Sequence, residues 1–77
     1  MSMTTYLPTP FKETEVTRGT EKAWLFEYKD RFGKVRKEWI PKSQSRVDVN
    51  EEGERVWFVR QFIHYQLVQF WREKELV

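Results

Sequence analysis

Two neighbouring stretches of this chain are rich in aromatic and other apolar positions, and a helical period of apolar residues follows near its end. Residues 22–29 read Lys-Ala-Trp-Leu-Phe-Glu-Tyr-Lys and residues 34–40 read Lys-Val-Arg-Lys-Glu-Trp-Ile, both rich in strand-forming side chains. Between them stands Asp30-Arg31-Phe32-Gly33, which reads as a turn with glycine at its end. The pattern predicts a central β-hairpin over residues 22–40. A four-residue loop sets Trp24 opposite Trp39, Glu27 opposite Arg36 and Tyr28 opposite Val35. Such aromatic and opposite-charge pairs contribute roughly 0.2–1 kcal/mol each. A three-residue loop slips the pairing by one and sets Phe26 against Glu38; the first register is the expected one. Alternation then gathers Trp24, Phe26, Tyr28, Val35, Lys37 and Trp39 on one face, the heavier apolar one, expected to point into the core.

The remaining segments are assigned by the same means. Residues 1–10 are polar and contain Pro8 and Pro10, which predicts a flexible N-terminal arm. Residues 11–17 have the composition of a short edge strand, and Arg18-Gly19-Thr20 reads as a turn. Pro41 stops the second hairpin strand, and Pro41-Lys42-Ser43-Gln44 forms its exit turn. Arg46-Val47-Asp48-Val49 is a third strand and Asn50-Glu51-Glu52-Gly53 a turn. Val56-Trp57-Phe58-Val59 fits a strand or a first helical turn, and is read as a strand leading into a helix. From Arg60 the period is helical: Phe62, Ile63, Gln66, Leu67, Phe70 and Trp71 share one side, with Gln61, Tyr65, Val68 and Arg72 opposite. The expectation is an α+β fold, with a small antiparallel sheet of three to four strands and one C-terminal amphipathic helix across it. Residues 11–77 form its single domain.

Composition narrows the picture. A chain of 77 residues makes one domain and hides only ~60% of its unfolded surface, so its core is small. Aromatic residues are 17% of the total, and each ring can bury ~150–250 Å², so a few clustered rings can supply most of that core. Others stay exposed, or are covered in a homodimer. There is no cysteine, which excludes disulfides, thiolate metal sites and a thiol nucleophile. Residues 1–10 lack the pattern of a signal peptide, and no stretch approaches the ~20 apolar residues of a membrane span. The expected location is cytoplasmic.

Charge is the most informative feature. Seven of the fourteen basic residues, Lys29, Arg31, Lys34, Arg36, Lys37, Lys42 and Arg46, fall in a stretch with only two acids, a formal charge of +5. The whole chain carries +2, and both flanks are slightly acidic. Such a field steers a polyanion even where net charge is small. These seven residues, with Phe32 at the turn apex to stack on a base or fill a partner's pocket, are the candidate nucleic-acid or partner site. The competing reading, that Phe32 folds back and the cations merely keep an edge soluble, carries equal weight. Trp24 and Trp39 are assigned to the core. Trp57, Tyr65, Val68 and Trp71 are candidates for a protein or dimer interface.

Catalysis finds little footing. His64 is the only histidine and falls near the border of the helix's apolar side, where a partly exposed helical residue is the simpler reading. Ser43 and Ser45 have no second histidine and no glycine-rich elbow beside them. Glu51, Glu52 and Glu54 lack the ligand spacing of a calcium loop and read as a solvated rim. The three glycines sit in turns and make no phosphate-binding pattern. The expectation is a protein without enzymatic activity, cofactor or metal.

The segment Glu21-Lys22-Ala23-Trp24-Leu25-Phe26, followed by Lys37-Glu38-Trp39-Ile40-Pro41-Lys42-Ser43-Gln44, resembles a pattern in small phage and prophage proteins. In these an E-K-A strand leads through a hairpin to W-I-P-K-S-Q, a short strand and a terminal amphipathic helix. The resemblance covers about the middle third of the chain, and the aromatic residues 56–71 depart from it. It implies a small protein inside a bacterial or archaeal host that binds nucleic acid or blocks a host machine. Three functions follow as expectations. The first is a nucleic-acid-binding protein acting through the basic hairpin. The second is a protein-binding adaptor or inhibitor of anti-CRISPR or anti-restriction type, whose partner presents an acidic surface. The third is a structural homodimer.

Overall fold

Asp30 and Asn50 each open a three-residue loop that ends in glycine, and these loops set the pairing of both hairpins. The Asp30 N–H donates to the Lys34 carbonyl at 2.7 Å, and the Gly33 N–H donates to the Asp30 carbonyl at 2.9 Å. The Asp30 carboxylate (Oδ1) accepts from the N–H groups of Phe32 and Lys34 at 2.8 and 2.9 Å. Asn50 repeats the arrangement with Glu54 and Gly53, and its side-chain oxygen accepts from Glu52 and Glu54 at 2.9 Å. Gly33 and Gly53 have φ of +85° and +84°, a left-handed backbone that glycine adopts without steric cost. A three-residue connection closed by a left-handed glycine is a usual form of β-hairpin.

The computed structural model describes residues 5–71. In chain order it contains β1 (Tyr6–Lys12), a 3₁₀ turn (Glu13–Glu15), β2 (Arg18–Gly19), β3 (Ala23–Lys29) and β4 (Val35–Pro41). A second 3₁₀ turn (Lys42–Gln44), β5 (Ser45–Val49), β6 (Arg55–Arg60), helix α1 (Gln61–Leu67) and a last 3₁₀ turn (Val68–Phe70) complete it. The fold is α+β, with two three-stranded antiparallel sheets ordered β1-β6-β5 and β2-β3-β4.

Instead of the expected N-terminal arm over residues 1–10, the chain forms β1 from Tyr6; residues 1–4 lie outside the described residues. Pro8 and Pro10 are compatible with this strand because β1 is an edge, where a missing N–H breaks no ladder. The pairing shifts between Pro8 and Lys12. At that irregularity the buried Thr9 hydroxyl donates to the Trp57 carbonyl at 2.8 Å and accepts from the Phe11 N–H at 3.2 Å. A side chain thereby replaces lost backbone pairing. Arg18-Gly19 forms a short strand rather than a turn, and Gly19 lies opposite Trp24. A Cβ at Gly19 would meet the Trp24 ring at 2.5 Å, so only glycine lets that ring lie flat there.

The core fills the space between the sheets. Phe11, Trp57 and Val59 from one sheet meet Phe26, Tyr28 and Ile40 from the other, and Ile63 joins them from α1. The Phe11 ring lies 5.0 Å from Phe26 and 5.1 Å from Tyr28, and Trp57 lies 5.4 Å from Trp24 and 5.6 Å from Phe26. Rings at these separations add about 0.5–1.5 kcal/mol per pair beyond their burial. The C-terminal segment closes the cluster with Leu67, Phe70 and Trp71 partly buried against it. Phe62 departs from the helical face assigned to it and is exposed, while Ile63 and Leu67 point inward. Phe62 stands about 100° round the helix from Ile63, outside the stripe that Ile63 and Leu67 bury. Arg72, assigned to the polar side, lies outside the described residues. Among the described residues no helix is long and apolar enough to cross a membrane.

Candidate binding surface

The loop at Asp30 decides what the central hairpin shows to solvent. It closes on three residues, so Trp24 pairs with Ile40, Leu25 with Trp39, Phe26 with Glu38, Glu27 with Lys37, Tyr28 with Arg36 and Lys29 with Val35. This is the register not expected, and it corrects the face assignment for every β4 residue. A slip of one position turns a strand's side chains to the opposite face. Ile40, Glu38 and Arg36 therefore face inward with Trp24, Phe26 and Tyr28. Trp39, Lys37 and Val35 lie on the outward face with Glu27, Lys29 and Leu25, although Leu25 itself is buried.

The outward face of β2-β3-β4 thus becomes basic and aromatic. Trp39 is 48% exposed and Val35 65% exposed, so Trp39 leaves the core to which it was assigned. Arg18 stands opposite Leu25 on β2, and Arg31 and Lys34 flank Phe32 in the loop. Phe32 is 70% exposed with the Arg31 guanidinium 5.4 Å from its ring centre; it does not fold back onto the sheet. Among the described residues, none of Arg18, Lys29, Arg31, Lys34 and Lys37 ends within ion-pair distance of a carboxylate. Glu27, opposite Lys37, is the acid on this face, because Asp30 is buried in its loop. Along β4, Trp39, Lys37 and Val35 lie about 7 Å apart, two strand residues per step.

The other three basic residues lie elsewhere. Arg36 points inward, where its Nε donates to Glu38 at 2.9 Å and its guanidinium carbon lies 3.6 Å from the centre of the Phe70 ring. Lys42 lies in the corner between the sheets, with its ammonium 4.1 Å above the Trp24 ring. Arg46 is on β5, over the Tyr6 ring at 4.5 Å and 3.9 Å from Asp48. Its strand belongs to the other sheet, so the seven cations do not form one patch; four of them gather at the hairpin. Beside Arg36, burial and then the charge of Glu38 push the Tyr28 phenol up to about 12, so it remains a neutral donor to Glu38.

The candidate interface residues separate in the same way. Trp57 is buried in the core and its indole N–H reaches the Glu13 carbonyl at 3.3 Å, so it cannot meet a partner. Trp71 is half-buried, with its ring 5.8 Å from Phe11 and 5.4 Å from His64. Tyr65 and Val68 are exposed, joined by Phe62. His64 is partly buried, and desolvation holds its imidazole below the usual histidine range. Among the described residues no group of three His, Cys, Asp or Glu is placed to hold a metal ion.

Trp39, Val35 and Arg18 escaped the sequence reading. A usable signal was present: Asp-x-x-Gly-x and Asn-x-x-Gly-x at residues 30–34 and 50–54 are the same loop written twice. Both call for the three-residue connection that brings Trp39 outward. Comparison of the chain with protein-family models, with curated proteins and with solved structures yields no match.

Proposed function

We propose that this protein is a non-enzymatic binding module whose β2-β3-β4 outer face takes single-stranded nucleic acid. The observation that carries the reading is Trp39, half exposed on a sheet face beside Lys37, with Lys29, Arg31 and Lys34 free of carboxylates. An exposed ring offers any base a stacking surface, worth ~1–3 kcal/mol per base, while surrounding cations follow the phosphates. An open sheet face that presents an exposed ring suits unpaired bases better than a duplex, whose bases are already stacked. Phe32, at the loop apex, provides a second ring beyond Val35.

The test is titration of the protein with a labelled 15-nucleotide oligothymidylate, followed by anisotropy over a series of salt concentrations. For single strands each phosphate contact contributes ~0.7 to the log–log salt slope, so four engaged cations predict a slope near −3. Trp39→Ala should weaken binding about tenfold or more, and Lys37→Ala should flatten the slope. Absence of saturable binding at low salt, or unchanged affinity in Trp39→Ala, removes the reading.

A further inference from the structure

A second surface lies on the opposite sheet and does not depend on the nucleic-acid reading. On the outer face of β1-β6-β5, Tyr6 pairs with Arg60, and Arg46 pairs with Phe58, two residues before Arg60. The two arginines are therefore diagonal neighbours on one face. Both hold the Tyr6 ring: Arg46 lies over it at 4.5 Å, and Arg60 lies 5.3 Å from its centre with Nε donating to the hydroxyl at 3.2 Å. A ring contact orders a guanidinium without neutralising it. Among the described residues Arg60 has no ion pair, and the Arg46–Asp48 contact is long, at 3.9 Å between exposed groups.

Arg60 also forms one wall of a depression of about 220 Å³, whose other walls are Gln61, Phe62 and Tyr65. Phe62 and Tyr65 are 57% and 62% exposed. The walls are braced: the Gln61 side-chain amide donates to the Tyr65 hydroxyl at 2.7 Å, and the Gln61 N–H donates to the Thr5 carbonyl at 2.9 Å. The depression is smaller than the ~300–1,000 Å³ of small-molecule sites, and suits one apolar side chain. Two ordered cations with unfilled hydrogen-bonding capacity adjoin an apolar notch for a single residue.

We infer that this surface docks an acidic polypeptide segment. An apolar side chain of that segment enters the notch between Phe62 and Tyr65, and a neighbouring Asp or Glu meets Arg60 and Arg46. The charge of the two arginines selects an anionic partner, and guanidinium groups match carboxylates in a bidentate manner. A peptide is favoured over a nucleic acid because the cations are only two and lie to one side of the notch, with no file of charges to track a backbone.

Selection from a displayed random library of twelve-residue peptides tests this directly. Enriched sequences should carry Asp or Glu within two or three positions of Leu, Ile, Phe or Trp. Synthetic copies should bind the full chain at low salt and lose at least tenfold in affinity for Arg46→Gln/Arg60→Gln and for Phe62→Ala. The Trp39→Ala variant should bind them as the wild type does, which separates this surface from the hairpin face. No enrichment above background, enriched peptides without carboxylates, or affinity unchanged in the double arginine variant would overturn the proposal. So would displacement of the peptides by oligothymidylate in the Trp39→Ala variant. A dimer in sedimentation equilibrium that Phe62→Asp dissociates would also overturn it, by showing that a second copy covers the face.

Discussion

The Arg36 guanidinium carbon sits 3.6 Å from the centre of the Phe70 ring, tying the central hairpin to the last turn of the fold. The Arg31 N–H donates to the Phe70 carbonyl at 2.8 Å, so backbone and side chain meet at the same residue. Arg36 also holds Glu38. The residue thus acts as a clasp across the open end of the core and is not available to a ligand. Arg36→Ala should destabilise the protein by about 1–2 kcal/mol, from loss of a half-buried cation–ring contact and a charge-assisted hydrogen bond. Urea denaturation measures this, and Phe70→Ala should produce a comparable loss. Their double variant should lose less than the two singles combined, since they share one contact.

The Asp30 loop makes a second prediction. Its carboxylate accepts from two N–H groups that its loss would leave to water, so Asp30→Ala should cost about 1–2 kcal/mol. Asn50 demonstrates that an amide can do the same work, and Asp30→Asn should retain most of the stability. Gly33→Ala should cost about 1 kcal/mol, because a Cβ disfavours φ of +85° although nothing crowds it there. Thermal unfolding of the three variants gives the order.

Trp39 and Trp57 should behave as opposites. Trp57 is buried between Trp24 and Phe26, and Trp57→Ala should cost about 3–5 kcal/mol, enough to unfold a small domain. Trp39→Ala removes a half-exposed ring from a solvent face and should change stability by less than about 1 kcal/mol. Chemical denaturation distinguishes them. A large loss of stability in Trp39→Ala would mean that its ring holds the sheet rather than awaiting a ligand.

Protonation of His64 should weaken the fold. Burial lowers its affinity for a proton, partly opposed by a contact to the Pro8 backbone, and its Nδ1 is buried without a hydrogen-bond partner. With the folded-state pKa below the unfolded value of about 6.5, the unfolded chain binds the proton more readily. The stability contributed by neutral His64 is therefore complete above that value and lost as pH falls through the folded-state pKa. The difference in melting temperature between wild type and His64→Gln should move against the wild type from pH 7.5 to pH 5. A constant difference over that range would contradict it.

Much of the fold is legible in the residues themselves. Strand-forming composition marked β3, β4 and β5, the two Gly-ended turns marked the hairpin tips, and the helical period after Arg60 marked α1. All of these depend on contacts within a few positions, where side-chain periodicity and turn preference act directly. The basic character of the hairpin was visible too, and Lys29, Arg31, Lys34 and Lys37 do gather there. Tyr65 and Val68 were found exposed as their helical positions suggested.

The partition between core and surface came from elsewhere. Trp24 and Trp39 are alike in the sequence, each a tryptophan in a strand-forming stretch. One packs on Trp57 and the other faces solvent because the Asp30 loop spans three residues, not four. Arg36 and Lys37 exchange roles for the same reason. Likewise, Tyr6 became a strand residue only because β6 offered β1 a pairing edge, and Arg46 was taken from the hairpin patch when β5 joined that other sheet. Local preference could set where strands begin and turn. Which side of each strand meets water depended on long-range pairing, since a one-residue difference in register reverses every side chain while leaving the local pattern unchanged.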